Sequence, residues 1–168
     1  MKRVLVVLAA GVAALALATL SGCGSAERAG ERTVTVFEKD DAETFAPVDL
    51  PPTSKTKGAQ ATVSPGDLFI VTGPVFGDEA RKKPIGRIFG QVTGTSAGKT
   101  FFHSSFLAHL VLKLSSGTIV VDGAFKEGPM TTGAFAVTGG TGAYARVRGT
   151  FTSKHTQAGE VDTVHLLP

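Results

Sequence analysis

From Arg32 onward the chain is written in short runs that alternate apolar and polar residues, and this period of two constrains the fold more than any other feature. Runs rich in Val, Ile, Thr and Phe recur, broken by clusters of Gly, Pro, Ser and Lys, which is the spacing of a sandwich or barrel. The pattern predicts eight strands, near residues 32–38, 66–72, 85–95, 100–113, 117–125, 131–138, 143–153 and 160–166. No convincing amphipathic helix interrupts the series. Between the first two strands runs "DDAETFAPVDLPPTSKTKGAQATV", where Pro47, Pro51 and Pro52 argue against regular pairing and for a long loop. The stretch from 32 to 168, 137 residues, suits one domain of ordinary size.

One fragment tests this all-β reading. "AVTGGTGAYARVRGTF", Ala136 to Phe151, contains Gly140, Gly142 and Ala145 at the spacing of a dinucleotide fingerprint. Such a fingerprint needs a helix after the glycines and an acidic residue about twenty positions on. Here Tyr144, Arg146 and Arg148 alternate with Ala145, Val147 and Gly149, which is a strand period, and only 23 residues follow Ala145. The glycines are expected to make a hairpin connection, in which Gly supplies the positive φ that other residues resist.

Residues 1–22 have the form of an export signal: Lys2 and Arg3, an apolar core, then small residues before Cys23. "LSGC" resembles the lipobox of bacterial lipoproteins, which implies that Cys23 is acylated, becomes the new N-terminus and anchors the chain to the extracytoplasmic face of a membrane. Two or more acyl chains make such an anchor stable. Residues 24–31 read as a flexible tether. With a single cysteine, internal disulfides and thiolate metal clusters are excluded. Removing Lys2 and Arg3 leaves 15 basic residues against 14 acidic ones, so the net charge falls from +3 to +1. No concentrated basic patch of the kind nucleic-acid binding needs remains.

Four segments in order carry a family resemblance. "VFEKDD" near the start, "SPGDLFIVTGPVFGDEARKKPIGRIFGQVTGT" from Ser64 to Thr95, "SGTIVVDGAF" from Ser116 to Phe125, and "FAVTGGTGAYARVRGTF" resemble the allene oxide cyclase and dirigent barrels of plants. The resemblance implies an all-β, eight-stranded antiparallel β-barrel of calycin type, cofactor-free chemistry or steering on a small hydrophobic molecule, and self-association as in both plant families. Eight is also the strand number read from periodicity. An eight-stranded barrel either fills its interior with side chains or holds one small ligand.

Glu38 is the foremost candidate for chemistry. It follows Val34 and Val36 on one face of the first strand, so a carboxylate ends an apolar stripe. Pointing inward, it would be desolvated, which disfavours its charged form and suits an acid, base or electrostatic stabiliser. At a strand end with its head in water, it would do nothing of the kind. The resemblance places Glu38 on the family's charge-stabilising glutamate and Pro47 on its pocket proline. It assigns Asp40, Gly73 and Val92 to pocket positions where the cyclases carry asparagine, asparagine and cysteine. That altered polar set argues against allene oxide cyclisation itself.

Other features carry two readings each. Gly86, Gly90 and Gly94 share a strand face, either to relieve crowding or to leave room for a ligand. Arg146 and Arg148 share a predicted face with Tyr144, as a solvated outer surface or as dirigent-like pocket cations. The histidines suggest no metal site: His103 and His109 on one strand would be roughly 20 Å apart. His155 and His165 would meet only across neighbouring strands. "ARKKP", Ala80 to Pro84, reads as a solvated basic loop or as a contact for anionic lipid headgroups. Three functions stay open: a cyclase- or isomerase-like enzyme, a binding or steering protein without chemistry, and a structural envelope barrel.

Overall fold

The computed structural model describes residues 30–42, 44–51, 62–98, 100, 103–126 and 132–167. The stretch read as an export signal, Cys23 and nearly all of the stretch read as a tether lie outside the described residues. Among the described residues, nine strands form one antiparallel sheet: β1 (Arg32–Phe37), β2 (Thr44–Val48), β3 (Leu68–Phe76), β4 (Pro84–Gly94), β5 (Ser105–Leu114), β6 (Gly117–Lys126), β7 (Thr132–Gly140), β8 (Arg148–Thr156) and β9 (Gly159–Leu167). The spatial order is β1-β9-β8-β7-β6-β5-β4-β3-β2, and β1 also pairs with β3, which closes the sheet. Closure leaves few edges open to foreign strands.

Nine strands make eight staves. β1 meets β3 at Phe37↔Phe76, and β2 then takes over the same side of β3 from Thr44↔Thr72 to Val48↔Leu68. β1 and β2 thus run as one interrupted stave, broken by Glu38, Lys39 and a 3-10 turn at Asp40–Ala42. The expected eight-stranded antiparallel barrel is the observed fold.

β2 is a correction to the sequence reading, which gave that stretch to a loop. Pro47 stands opposite Phe69 in β2, and β2 pairs with β3 alone. An edge position spares proline the ladder hydrogen bond it cannot donate. β3 likewise runs on through Gly73 and Pro74 to Phe76. A second correction concerns Ala136–Phe151. β7 continues through Gly140, a 3-10 turn covers Gly142–Tyr144, and β8 begins only at Arg148. The connection is a hairpin, as expected, but positive φ falls on Gly142 and Arg146 rather than on Gly139 or Gly140. Tyr144 therefore shares no face with the two arginines. It turns inward, 8% exposed, with its phenol oxygen accepting a hydrogen bond from Ser116 at 3.0 Å. β5 starts at Ser105, where Ser96 Oγ accepts from Ser105 N and Ser104 Oγ donates to Thr100 O; residues 101 and 102 of the expected strand lie outside the described residues.

Alternate residues of β1 and β3–β9 fill the interior, whereas the described side chains of β2 are exposed. Val36, Val75, Phe106, Leu112, Ile119, Phe151 and Val164 are at most 1% exposed. The glycines of β4 face this core. A Cβ on Gly94 would stand 2.7 Å from Val63 Cγ1 and 2.8 Å from Ser64 O, and one on Gly86 would collide with the backbone oxygen of Lys113. At those two positions the absence of a side chain relieves crowding rather than leaving open space.

Candidate functional site

Two features of the interior stand beside each other. The first is an arc of five phenylalanines from β3 to β8. Phe69 meets Phe106 edge-on at 5.7 Å, and Phe106 stacks on Phe125 at 5.3 Å. Phe125–Phe135 and Phe135–Phe151 then follow edge-on, both at 5.7 Å. Each lies in the range of separations where aromatic pairs attract beyond their burial. The ring of Phe135 lies over Gly123, where a Cβ would come within 3.1 Å of three of its carbons. Between β3 and β5, inward-facing Val71, Gly90 and Leu110 are consecutive in register and only partly buried. The inner wall therefore keeps accessible apolar surface at that point.

The second feature is acidic. Glu38 is 2% exposed and Asp162 is 0% exposed. Their carboxylates and that of half-buried Glu160 all lie within 4.8 Å of one another. The backbone explains the convergence. Val36 pairs with Asp162, and Glu38 N–H donates to Glu160 O at 2.9 Å, so the break after β1 lies against the start of β9. Glu160 and Asp162 are two residues apart on one strand and face the same way. Ser153 of β8, paired with Asp162, donates from Oγ to Glu160 Oε2 at 2.6 Å. Ser153 is also two residues beyond Phe151, which brings the acidic group to the end of the aromatic arc.

The break in the stave is braced from outside. Arg81, 7% exposed and at φ 48°, donates from Nε to Glu38 O at 2.8 Å and from Nη1 to Glu79 O at 3.1 Å. Its guanidinium lies 5.4 Å from the centre of the Phe37 ring. Gly159, at φ +118°, passes so close to Glu38 O that a side chain there would strike it. An open depression of about 440 Å³ covers this seam, lined by Lys39, Asp40, Asp41, Glu79, Arg81 and Gln157 among others.

The sequence candidates separate in space. Glu38 is buried in the acidic group, while Asp40 is exposed in the outer depression and Pro47 is exposed on β2. Gly73 and Val92 are buried on the inner wall, opposite Ile88 and Phe69 respectively. Glu160 and Asp162 escaped the sequence reading. The signal was there: in "GEVDTVHLL" they precede Val164 and Leu166 on one face, the same carboxylate-ended stripe that marked Glu38.

The histidines stay apart. His155 pairs in register with Glu160, and His165 with Thr150. His109 lies on the outer surface, its Nδ1 2.6 Å from Asp122 Oδ1, and Thr138 Oγ1 donates to Asp122 Oδ2 at 2.6 Å. The Thr138 hydroxyl and then the His109 imidazole hold Asp122 below the ordinary aspartate value.

No protein-family model matches the chain, and no curated protein matches it. Solved structures do match in fold. A pyocyanin demethylase aligns with a TM-score of 0.63 at 23% identity, covering 81% of this chain and 100% of that one. A pterocarpan synthase dirigent protein aligns with 0.56 at 18% identity, covering 81% of this chain and 91% of that one. The Diels–Alderase AbmU from Streptomyces koyangensis aligns with 0.51 at 16% identity, over 81% of this chain and 62% of its own. The chain shares the barrel of these proteins, and the dirigent likeness read from its sequence holds at the level of fold.

Proposed function

We propose that this barrel binds a small, largely apolar molecule against its aromatic arc, with Glu38 presented to the molecule as a charged or proton-carrying group. The carrying observation is the convergence of Glu38, Glu160 and Asp162 within 4.8 Å at the end of that arc. Three carboxylates so close repel one another when all are charged, so a ligand bearing positive charge or hydrogen-bond donors relieves the repulsion. The same arrangement favours a substrate that develops positive charge as it reacts. Cyclisation or isomerisation of such a molecule redistributes electrons within it and needs no redox partner. Glu38 then stabilises the charge or lends and recovers a proton. The solved barrels of similar fold include proteins named for a Diels–Alder reaction, for pterocarpan synthesis and for a demethylation, which supports a small-molecule role.

In this reading the mature protein is lipid-anchored through Cys23 on the extracytoplasmic face and works on molecules that meet it there. Of the positions at which the family resemblance places pocket residues, Gly73 and Val92 lie on the inner wall, whereas Asp40 and Pro47 are exposed. The test is a panel of aromatic and polyene compounds, with and without amine or phenol groups, offered to the wild type and to Glu38→Gln. An enzyme turns a compound over, and the substitution slows turnover by at least tenfold. A steering or binding protein holds a compound without turning it over, and Glu38→Gln weakens that hold. A barrel that binds nothing in the panel removes the proposal.

A further inference from the structure

The outer surface of the barrel is lopsided in a way the interior site does not use. On one wall, formed by β2 to β5, Val48, Ile70, Ile85, Phe89 and Leu107 are 40–53% exposed. They are linked in register: Val48 lies opposite Leu68, Leu68 opposite Thr93, and Thr93 opposite Leu107, while Ile70 and Phe89 stand diagonally across β3 and β4. The other wall, β7 to β9, exposes Ala134, Ala136, Thr138 and Thr150 beside Arg148, Lys154 and His165, and its one large exposed apolar side chain among the described residues is Leu167, 46% exposed, at the end of β9. Contiguous exposed apolar surface on one side only is the mark of an interaction face.

Charge says what the face fits. At the outward positions of β2 to β5 there is no carboxylate, whereas Arg87 and Lys113 stand opposite each other on β4 and β5. Lys82 and Lys83 extend the row in the loop that leads into β4, and both are exposed. Asp78 and Glu79 are the acids of that loop. Asp78 accepts the Arg81 N–H, and Glu79 lines the seam depression together with Arg81. The Arg87 guanidinium lies 5.9 Å from the centre of the Phe89 ring and donates to Thr72 Oγ1 at 3.3 Å, which lays a cation flat along the apolar wall.

We infer that this wall docks on an anionic lipid surface, with Phe89, Ile70, Ile85 and Leu107 meeting the interfacial region and Arg87, Lys113, Lys82 and Lys83 meeting phosphate headgroups. A second copy of the chain fits less well. Symmetric pairing of the wall with itself would oppose the same cations with no acid to answer them. The chain outside the barrel is also long enough. From Cys23 to Arg32 the backbone spans at most about 30 Å, so an acyl anchor at Cys23 lets the barrel lie down on the bilayer rather than hang from it. This inference concerns the outer wall and stands or falls separately from the interior site.

All nine strands lie within residues 32–167, so a chain beginning at residue 24 keeps every strand pair and carries neither the apolar leader nor an anchor. That chain is to be sedimented with vesicles of phosphatidylcholine alone and of phosphatidylcholine with an equal part of phosphatidylglycerol. Binding is expected to the anionic vesicles and not to the neutral ones, and to fall as salt is raised. Each basic side chain at such a surface strengthens partitioning about fivefold, so reversing two, Arg87→Glu with Lys113→Glu, is expected to weaken binding by at least about 25-fold. Leu107→Ser with Phe89→Ser is expected to weaken it at least tenfold without altering the charge. The control is Arg148→Glu with Lys154→Glu on β8, which makes the same change in net charge on the opposite wall and is expected to cost far less. Three results overturn the inference: no difference between vesicle types, equal losses from both charge-reversed pairs, or a dimer in light scattering that Leu107→Ser dissociates while vesicles bind neither form.

Discussion

Two glycines of β4, Gly86 and Gly90, give a graded test of the packing. A Cβ on Gly86 would press into the backbone oxygen of Lys113 and come 2.9 Å from Leu114 Cδ2, and the first of these neighbours cannot swing away. Making room means shifting β4 from β5 where Arg87 pairs with Lys113. Overpacking of this kind costs about 1–3 kcal/mol. Loosening one or two ladder hydrogen bonds adds about 1 kcal/mol each. The narrower unfolded ensemble of alanine returns about 0.4–1 kcal/mol. Gly86→Ala is therefore expected to destabilise the barrel by about 2–4 kcal/mol, a large share of the 5–15 kcal/mol of an ordinary domain. At Gly90 the nearest atom to a Cβ is Leu110 Cδ2 at 2.7 Å, the end of a flexible side chain, with Val71 Cβ at 3.5 Å. Gly90→Ala is expected to stay within about 1 kcal/mol of the wild type. The assay is urea unfolding followed by far-ultraviolet circular dichroism. If Gly86→Ala lies within about 0.5 kcal/mol of the wild type, or Gly90→Ala proves the more damaging, then crowding does not explain these glycines.

The aromatic arc is expected to carry stability as well as shape: Phe106→Ala removes a fully buried ring held by Phe69 and Phe125, and should cost about 3–5 kcal/mol in the same unfolding assay. The Asp122 group predicts a pH effect of known sign. Its carboxyl is held below the ordinary value of 3.8, so its stabilisation is complete above that pH and is lost as pH falls through the lower folded value. His109 and Asp122 are 57% and 43% exposed, so solvent screening keeps the effect well under about 1 kcal/mol, and a carboxyl titration by NMR is the better readout. Thr138→Val and His109→Ala are each expected to raise the Asp122 midpoint.

Periodicity made the barrel legible because alternation is a local property, written into each strand separately. The eight staves follow from it, and so does the hairpin after β7. What eluded it depends on partners distant in the chain. β2 hides behind Pro47, and only its place on the free side of β3 makes a proline tolerable there. The segment Ala143–Val147 continues the alternation of β8, yet its backbone turns because Tyr144 is drawn inward to Ser116. Glu38 was legible from three residues of one strand as a carboxylate ending an apolar stripe, though whether it pointed inward or into water was not. The acidic group it belongs to was not, because Glu160 and Asp162 lie more than a hundred residues further on and reach it only through the β1–β9 register. Asp40, two residues past Glu38, shows the limit of carrying family positions across a break in a strand: the 3-10 turn at Asp40–Ala42 rotates it to the outer surface.

The central claim is that the acidic group and the aromatic arc together hold a small molecule. The most direct test is native mass spectrometry of the protein from residue 24 onward, produced in its own source and purified gently, for the wild type and for Glu38→Gln. The account predicts a one-to-one small-molecule adduct on the wild type that is reduced at least tenfold on Glu38→Gln. A bare mass for the wild type, joined by failure of the compound panel to bind, would contradict it and leave a barrel that serves only as structure.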